Sequence, residues 1–99
     1  AYCVTSREHN TLIGMGRIIG DGVFTFFIVD IIVLPDFQRK GIGTQIMNRI
    51  MHYLKEHAAS LSYITLMAAK GKEPFYEKYG FFKRPTDEYG HGMMIPIKK

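Results

Sequence analysis

Apolar and polar positions along this chain change period several times, and each change marks an element. Residues 2–6 alternate weakly and read as a short strand, and the polar run Arg7-Glu8-His9-Asn10 reads as a turn. Residues 12–19 (LIGMGRII) form a second strand, interrupted by Gly14 and Gly16. Gly20-Asp21-Gly22 is a hairpin signal. Residues 23–34 are almost continuously apolar, broken only by Thr25 and Asp30. A run so rich in β-branched and aromatic residues predicts a strand covered on both faces. It is long enough to carry a bulge near Asp30, which would re-aim the local backbone. Pro35 has no N–H to donate and ends the ladder.

The period then becomes helical. Over residues 44–59, Ile46, Ile50 and Leu54 recur at i, i+4 and i+8, with Met47, Met51 and Ala58 beside them. Gln45, Asn48, Arg49, His52, Lys55 and Glu56 fall largely on the other face. Residues 62–69 (SYITLMAA) predict a strand, so strand, helix and strand imply a parallel pair with a right-handed crossover. Pro74 suits a first helical position, residues 75–79 a short helix, and Gly80 a left-handed cap. Residues 81–85 and 93–97 predict two more strands around a polar turn, with Pro96 arguing for an edge or a bulge in the last. The predicted order is β-β-β-α-β-α-β-β: an α+β fold whose central sheet is mixed in direction.

The junction between the long strand and the long helix carries the candidate chemistry. Gln38-Arg39-Lys40-Gly41-Ile42-Gly43 turns a buried strand into a helix N-terminus. Such a terminus leaves N–H groups unpaired and carries partial positive charge, which suits a phosphate-bearing ligand. Gly41 and Gly43 let the backbone approach an anion, and Arg39 and Lys40 add full charges. A dinucleotide fingerprint is the rival reading, but Ile46 stands where its third glycine belongs.

Composition narrows the picture without naming a ligand. The 99 residues, 46% hydrophobic and 22% charged, read as one ordinary globular domain over 1–99. No apolar run approaches the roughly 20 residues of a membrane span. The chain begins mid-pattern and without Met, as a trimmed chain would. Cys3 is the only cysteine, so no internal disulfide forms, and a cytoplasmic location is the expectation. The net charge of +4 suits an anionic partner, although no basic block resembles a nucleic-acid arm. No Cys/His/Asp cluster has metal spacing, and no metal is expected. Cys3 reads as a buried small residue, and Met47, Met51, Met67, Met93 and Met94 as core filling.

Three pieces coincide: a strand ending in Val33-Leu34-Pro35-Asp36, the segment Gln38-x-x-Gly41-x-Gly43 opening the helix, and Pro74-Phe75-Tyr76-Glu77-Lys78-Tyr79-Gly80-Phe81 after the next strand. Together they resemble the GNAT-type N-acetyltransferases, whose phosphate loop reads Gln/Arg-x-x-Gly-x-Gly/Ala. The resemblance covers nearly the whole chain. It implies acetyl-CoA as cosubstrate and a small-molecule or peptide amine as acceptor. It departs in one respect: the family's usual first strand and two helices, which wall the acceptor side, do not precede Ala1. Either a trimmed chain, a neighbouring copy as in a homodimer, or a reduced member accounts for that.

The resemblance also implies roles. Gln38, Arg39, Lys40, Gly41, Ile42, Gly43 and Thr44 would bind the pyrophosphate, with a solvated surface charge the alternative for Lys40. The backbone of Ile32 and Val33 would pair with the pantetheine arm, which requires the strands at 31–33 and 66–68 to part. Tyr76 would protonate the leaving thiolate, or else pack its ring on the cofactor channel. Asp30 would be the base, or satisfy a bulge, or hold a substrate ammonium. Glu88 and His91 would approach the acceptor or face solvent. The expected activity is acetyl transfer to a primary amine by direct attack in a ternary complex. Two other readings stay open: an acyl-CoA-binding module without turnover, and a basic nucleic-acid-binding domain.

Overall fold

The computed structural model describes residues 2–98, which fall into two compact units dividing between Met67 and Ala68. The first unit holds strands β1 (Tyr2–Glu8), β2 (Thr11–Gly20) and β3 (Thr25–Val33), helix α1 (Ile42–His57) and strand β4 (Tyr63–Leu66). They form one sheet in the order β1-β2-β3-β4. The first three strands are antiparallel, and β3 pairs in parallel with β4. The expected meander and the parallel pair bridged by a helix are both present.

Local chemistry sets the boundaries. His9 and Asn10 both have positive φ, 50° and 68°, the conformation that a two-residue hairpin turn requires. Between β2 and β3, Asp21 Oδ1 accepts the N–H groups of Val23, Phe24 and Thr25 at 2.9, 2.9 and 3.0 Å. Those amides are therefore taken, and β3 begins at Thr25, two residues later than its apolar pattern predicts. The long helix begins two residues earlier than its period predicts, because its first turn at Ile42 follows a left-handed Gly41 rather than an apolar stripe.

One face of the sheet buries Ile18, Phe26 and Ile28 against Ile46, Met47, Ile50 and Leu54 of α1. The helix comes close because β2 is bare where it crosses. A Cβ at Gly16 would lie 2.6 Å from Ile31 and 2.8 Å from both Ile46 and Ile50. Cys3 is exposed, correcting the buried placement expected for it: β1 alternates, and Cys3 falls on its outward parity.

The second unit contains α2 (Glu73–Glu77), with Pro74 in its first turn, and Gly80 beyond it at φ 96°. The two strands expected at 81–85 and 93–97 are not formed. Their turn is: Thr86 N–H donates to Tyr89 O at 2.7 Å, and Thr86 Oγ1 accepts the N–H groups of Glu88 and Tyr89. A strand needs a partner for its backbone groups, and Pro85 and Pro96 each remove a donor. Met93 and Met94 are accordingly 88% and 71% exposed, and Met67 is exposed too, so only Met47 of the expected core methionines is fully buried.

Candidate functional site

The site is built at the carboxyl end of β3. Along β2 and β3, Gly14 pairs with Val33 and Met15 with Ile32, but Arg17 pairs with Val29. Two steps on β2 thus match three on β3, which is a bulge opposite Gly16 at Asp30-Ile31. Asp30 takes φ 56°, the left-handed conformation that Asp tolerates better than most residues. The bulge expected near Asp30 is therefore present.

The bulge reverses which backbone groups face β4. Before it, Phe24 O accepts Tyr63 N–H, and Phe26 O accepts Thr65 Oγ1–H. Even-numbered residues therefore turn toward β4 there, by the alternation of a strand. Beyond it, Leu34 N–H donates to Ile13 O at 2.9 Å, so Ile32 serves the β2 ladder and Ile31 and Val33 turn the other way. The parallel ladder stops at Ile28 and Leu66, three residues before Ile31. Of the two residues expected to offer backbone to a pantetheine arm, Val33 turns away from β2 toward the side of β4, and Ile32 turns toward β2.

Next comes the loop. Pro35–Phe37 make a single 3₁₀ turn, and Gln38 Nε2 reaches back to donate to Val33 O at 3.0 Å. Arg39 (φ 64°) and Gly41 (φ 82°) are both left-handed, flanking Lys40. Alternating hands of this kind turn successive peptide N–H groups toward one side, an anion-binding concavity. Lys40 Nζ stands 5.3 Å above the Phe37 ring, a cation–π contact that places its charge beside the loop. A Cβ on Gly41 would meet nothing within 4 Å, so glycine is demanded by the backbone angle and the space over it is open.

Helix α1 supplies the field. No side chain caps it and no acidic residue lies in its first turn, while Lys55 and His57 occupy its last. The N–H groups of its first turn have no partner within the helix, and nothing internal neutralises its positive end. Ile42, Gly43 and Thr44 form that turn, Ile42 and Gly43 partly buried and Thr44 exposed. The first turn of α1 is thus electropositive, and the space over Gly41 is open.

The remaining candidates separate. Asp30 is engaged: its Oδ2 receives Arg17 Nε and Nη2, each at 2.9 Å. Tyr76 lies in the second unit, half-buried, with its ring edge-on to Phe75 at 5.1 Å and to Phe81 at 6.4 Å. Burial pushes its phenol above its ordinary 10.0, so it keeps its proton at neutral pH. Glu88 and His91 are exposed. His52 pairs with Glu56 at 2.6 Å, and His57 packs edge-on to Tyr53. Among the described residues no three His, Cys, Asp or Glu side chains converge as a metal group. Sequence reasoning missed Arg17, Gly16 and Phe37. Phe37 was findable from its i, i+3 spacing to Lys40; the other two needed the strand register.

Residues 1–95 match the family model of the acetyltransferase (GNAT) domain. The chain is 38% identical over 79 residues to the uncharacterized N-acetyltransferase ycf52 of Porphyra purpurea, covering 80% of this chain and 44% of that protein. It is 37% identical over 74 residues to the chloroplastic GCN5-related N-acetyltransferase 3 of Arabidopsis thaliana, covering 75% of this chain and 30% of that one. The chain thus spans less than half the length of these relatives. Its fold superposes on a probable acetyltransferase from Staphylococcus aureus with TM-score 0.85 and 41% identity, over 96% of this chain and 70% of that one. A Clostridium acetobutylicum protein, described as a predicted acetyltransferase with acetyl-CoA, matches at TM-score 0.63 and 26% identity, over 86% of this chain and 58% of that one. With a family model matched over residues 1–95 and relatives 37–41% identical, the chain belongs to the GNAT acetyltransferase domain family.

Proposed function

We propose that this chain binds acetyl-CoA and serves N-acetyl transfer to a primary amine by direct attack in a ternary complex. One observation carries the reading: an acid-free, uncapped helix N-terminus, opened by a left-handed glycine, stands beside a strand end whose parallel ladder has stopped. Acetyl-CoA supplies the thioester as acyl donor. The amides at Gly41, Ile42, Gly43 and Thr44 hold the diphosphate, with Arg39 and Lys40 beside it and Gln38 fixing the loop to Val33. The Val33 backbone meets the pantetheine arm along the strand edge, its carbonyl shared with Gln38 Nε2. Tyr76 donates a proton to the departing thiolate, a role suited to a phenol that burial keeps neutral.

Gly41→Asp tests the loop. An L-residue is strained at φ 82°, and the carboxylate would repel phosphate. Calorimetry is expected to show acetyl-CoA affinity falling roughly a hundredfold; unchanged affinity would refute the site. A second reading is an acyl-CoA-binding module without turnover. Incubation with acetyl-CoA and a panel of small-molecule and peptide amines separates the two: product supports the enzyme, binding alone the module.

A further inference from the structure

Asp30 stands in the wrong conformation for a strand and the wrong place for a core. On an unbroken β3, alternation would continue from Phe26 and Ile28, both buried on the α1 face, to Asp30 and Ile32. A carboxylate would then lie against Ile46 and Ile50. The bulge avoids this. It puts Ile31 on that face, close over Gly16, and sends Asp30 to the opposite face, where Arg17 meets it at 2.9 Å. Ile32 follows Asp30 outward and is 49% exposed.

We propose that the Arg17–Asp30 pair is a register latch: it selects the bulged form of β3 over the regular one and so keeps the strand end open to the cofactor arm. This rests on the acetyl-CoA reading above. Asp30 is on this view a positioning residue. The pair is about half exposed, 45% for Arg17 and 44% for Asp30, and such pairs stabilise little by themselves. A latch needs little. It acts between two registers of one strand that share most of their ladder, and a small bias decides their populations. In the regular register the alternation set by Phe26 and Ile28 would run on unbroken. Residues 30 and 32 would turn their backbone toward β4, Val33 would turn to β2, and the parallel ladder could extend past Ile28.

The sharpest test is Asp30→Ile. It removes the latch, places a β-branched residue where φ 56° is disfavoured, and supplies an apolar side chain for the face that regular alternation would bury. The expected result is a split. Acetyl-CoA affinity by calorimetry falls more than about tenfold, while the thermal midpoint is unchanged or raised. Cross-strand NMR contacts of Met15 with Ile32 and of Gly14 with Val33 give way to a register shifted by one. Arg17→Met should weaken acetyl-CoA binding about threefold to fivefold, and adding Asp30→Asn to it should weaken binding no further. Wild-type register or affinity within twofold in Asp30→Ile overturns the latch, as does a double variant whose losses multiply. Should Asp30→Ile not fold, the Arg17→Met comparison decides. A wild-type chain that binds no acetyl-CoA refutes the cofactor reading instead, and the latch is then judged by the NMR register alone.

Discussion

A phenol serves as an acid at neutral pH only while it holds its proton, and Tyr76 holds it firmly. Its pKa is raised by burial, so any stability linked to it is complete below pH 10 and is lost as pH rises through the folded-state value. Tyr76→Phe keeps the ring and its contacts with Phe75 and Phe81. Turnover is expected to fall about a hundredfold with acetyl-CoA affinity within twofold, read by steady-state kinetics and calorimetry. Equal turnover would leave Tyr76 as packing. Asp21 works in the opposite sense. Three backbone amides, Thr25 first and then Val23 and Phe24, hold its carboxyl below the ordinary 3.8. Its contribution is present above that value and lost as pH falls through the lowered one. Asp21→Ala should therefore lower the thermal midpoint at pH 7 and make no difference at strongly acid pH.

At the scale of elements, β2 is shaped by what crosses it. Gly16→Ala would drive a methyl group into Ile31, Ile46 and Ile50 at once, and is expected to cost about 1–3 kcal/mol in urea unfolding. The sequence shows this glycine only as an interruption in an apolar strand, because the reason for it lies on another element. The same limit runs through the chain. Period and turn chemistry reveal β1 to β4 and α1, since each follows a spacing that its own residues spell out. The bulge was visible as a lone carboxylate in an apolar run. Which backbone groups it turns outward was not, so Val33 and Ile32 looked equivalent. The two expected C-terminal strands fail for the complementary reason: an apolar pattern specifies a strand only together with a neighbour to accept its hydrogen bonds. The glycine turn into the helix was legible, because its chemistry is local, but the left-handed Arg39 and the reach of Gln38 back to Val33 were not.

For the molecule as a whole, charge favours an anionic ligand. The chain carries a net +4, and Arg39 and Lys40 add two exposed cations to the helix end. Binding of a polyanion there should weaken with ionic strength, since exposed charges are screened over about 8–10 Å at physiological salt. Calorimetric titrations of acetyl-CoA in low and high sodium chloride are expected to show steadily decreasing affinity; a flat response would move the phosphates away from these side chains. The bare first turn of α1 has a further meaning. Most helices complete their opening turn from within, with a serine, threonine or aspartate whose removal costs about 1 kcal/mol. This one has no side chain of its own in that role. On the acetyl-CoA reading, a diphosphate would satisfy the amides that open a helix already complete over Ile42–His57, and adding the ligand should raise the thermal midpoint.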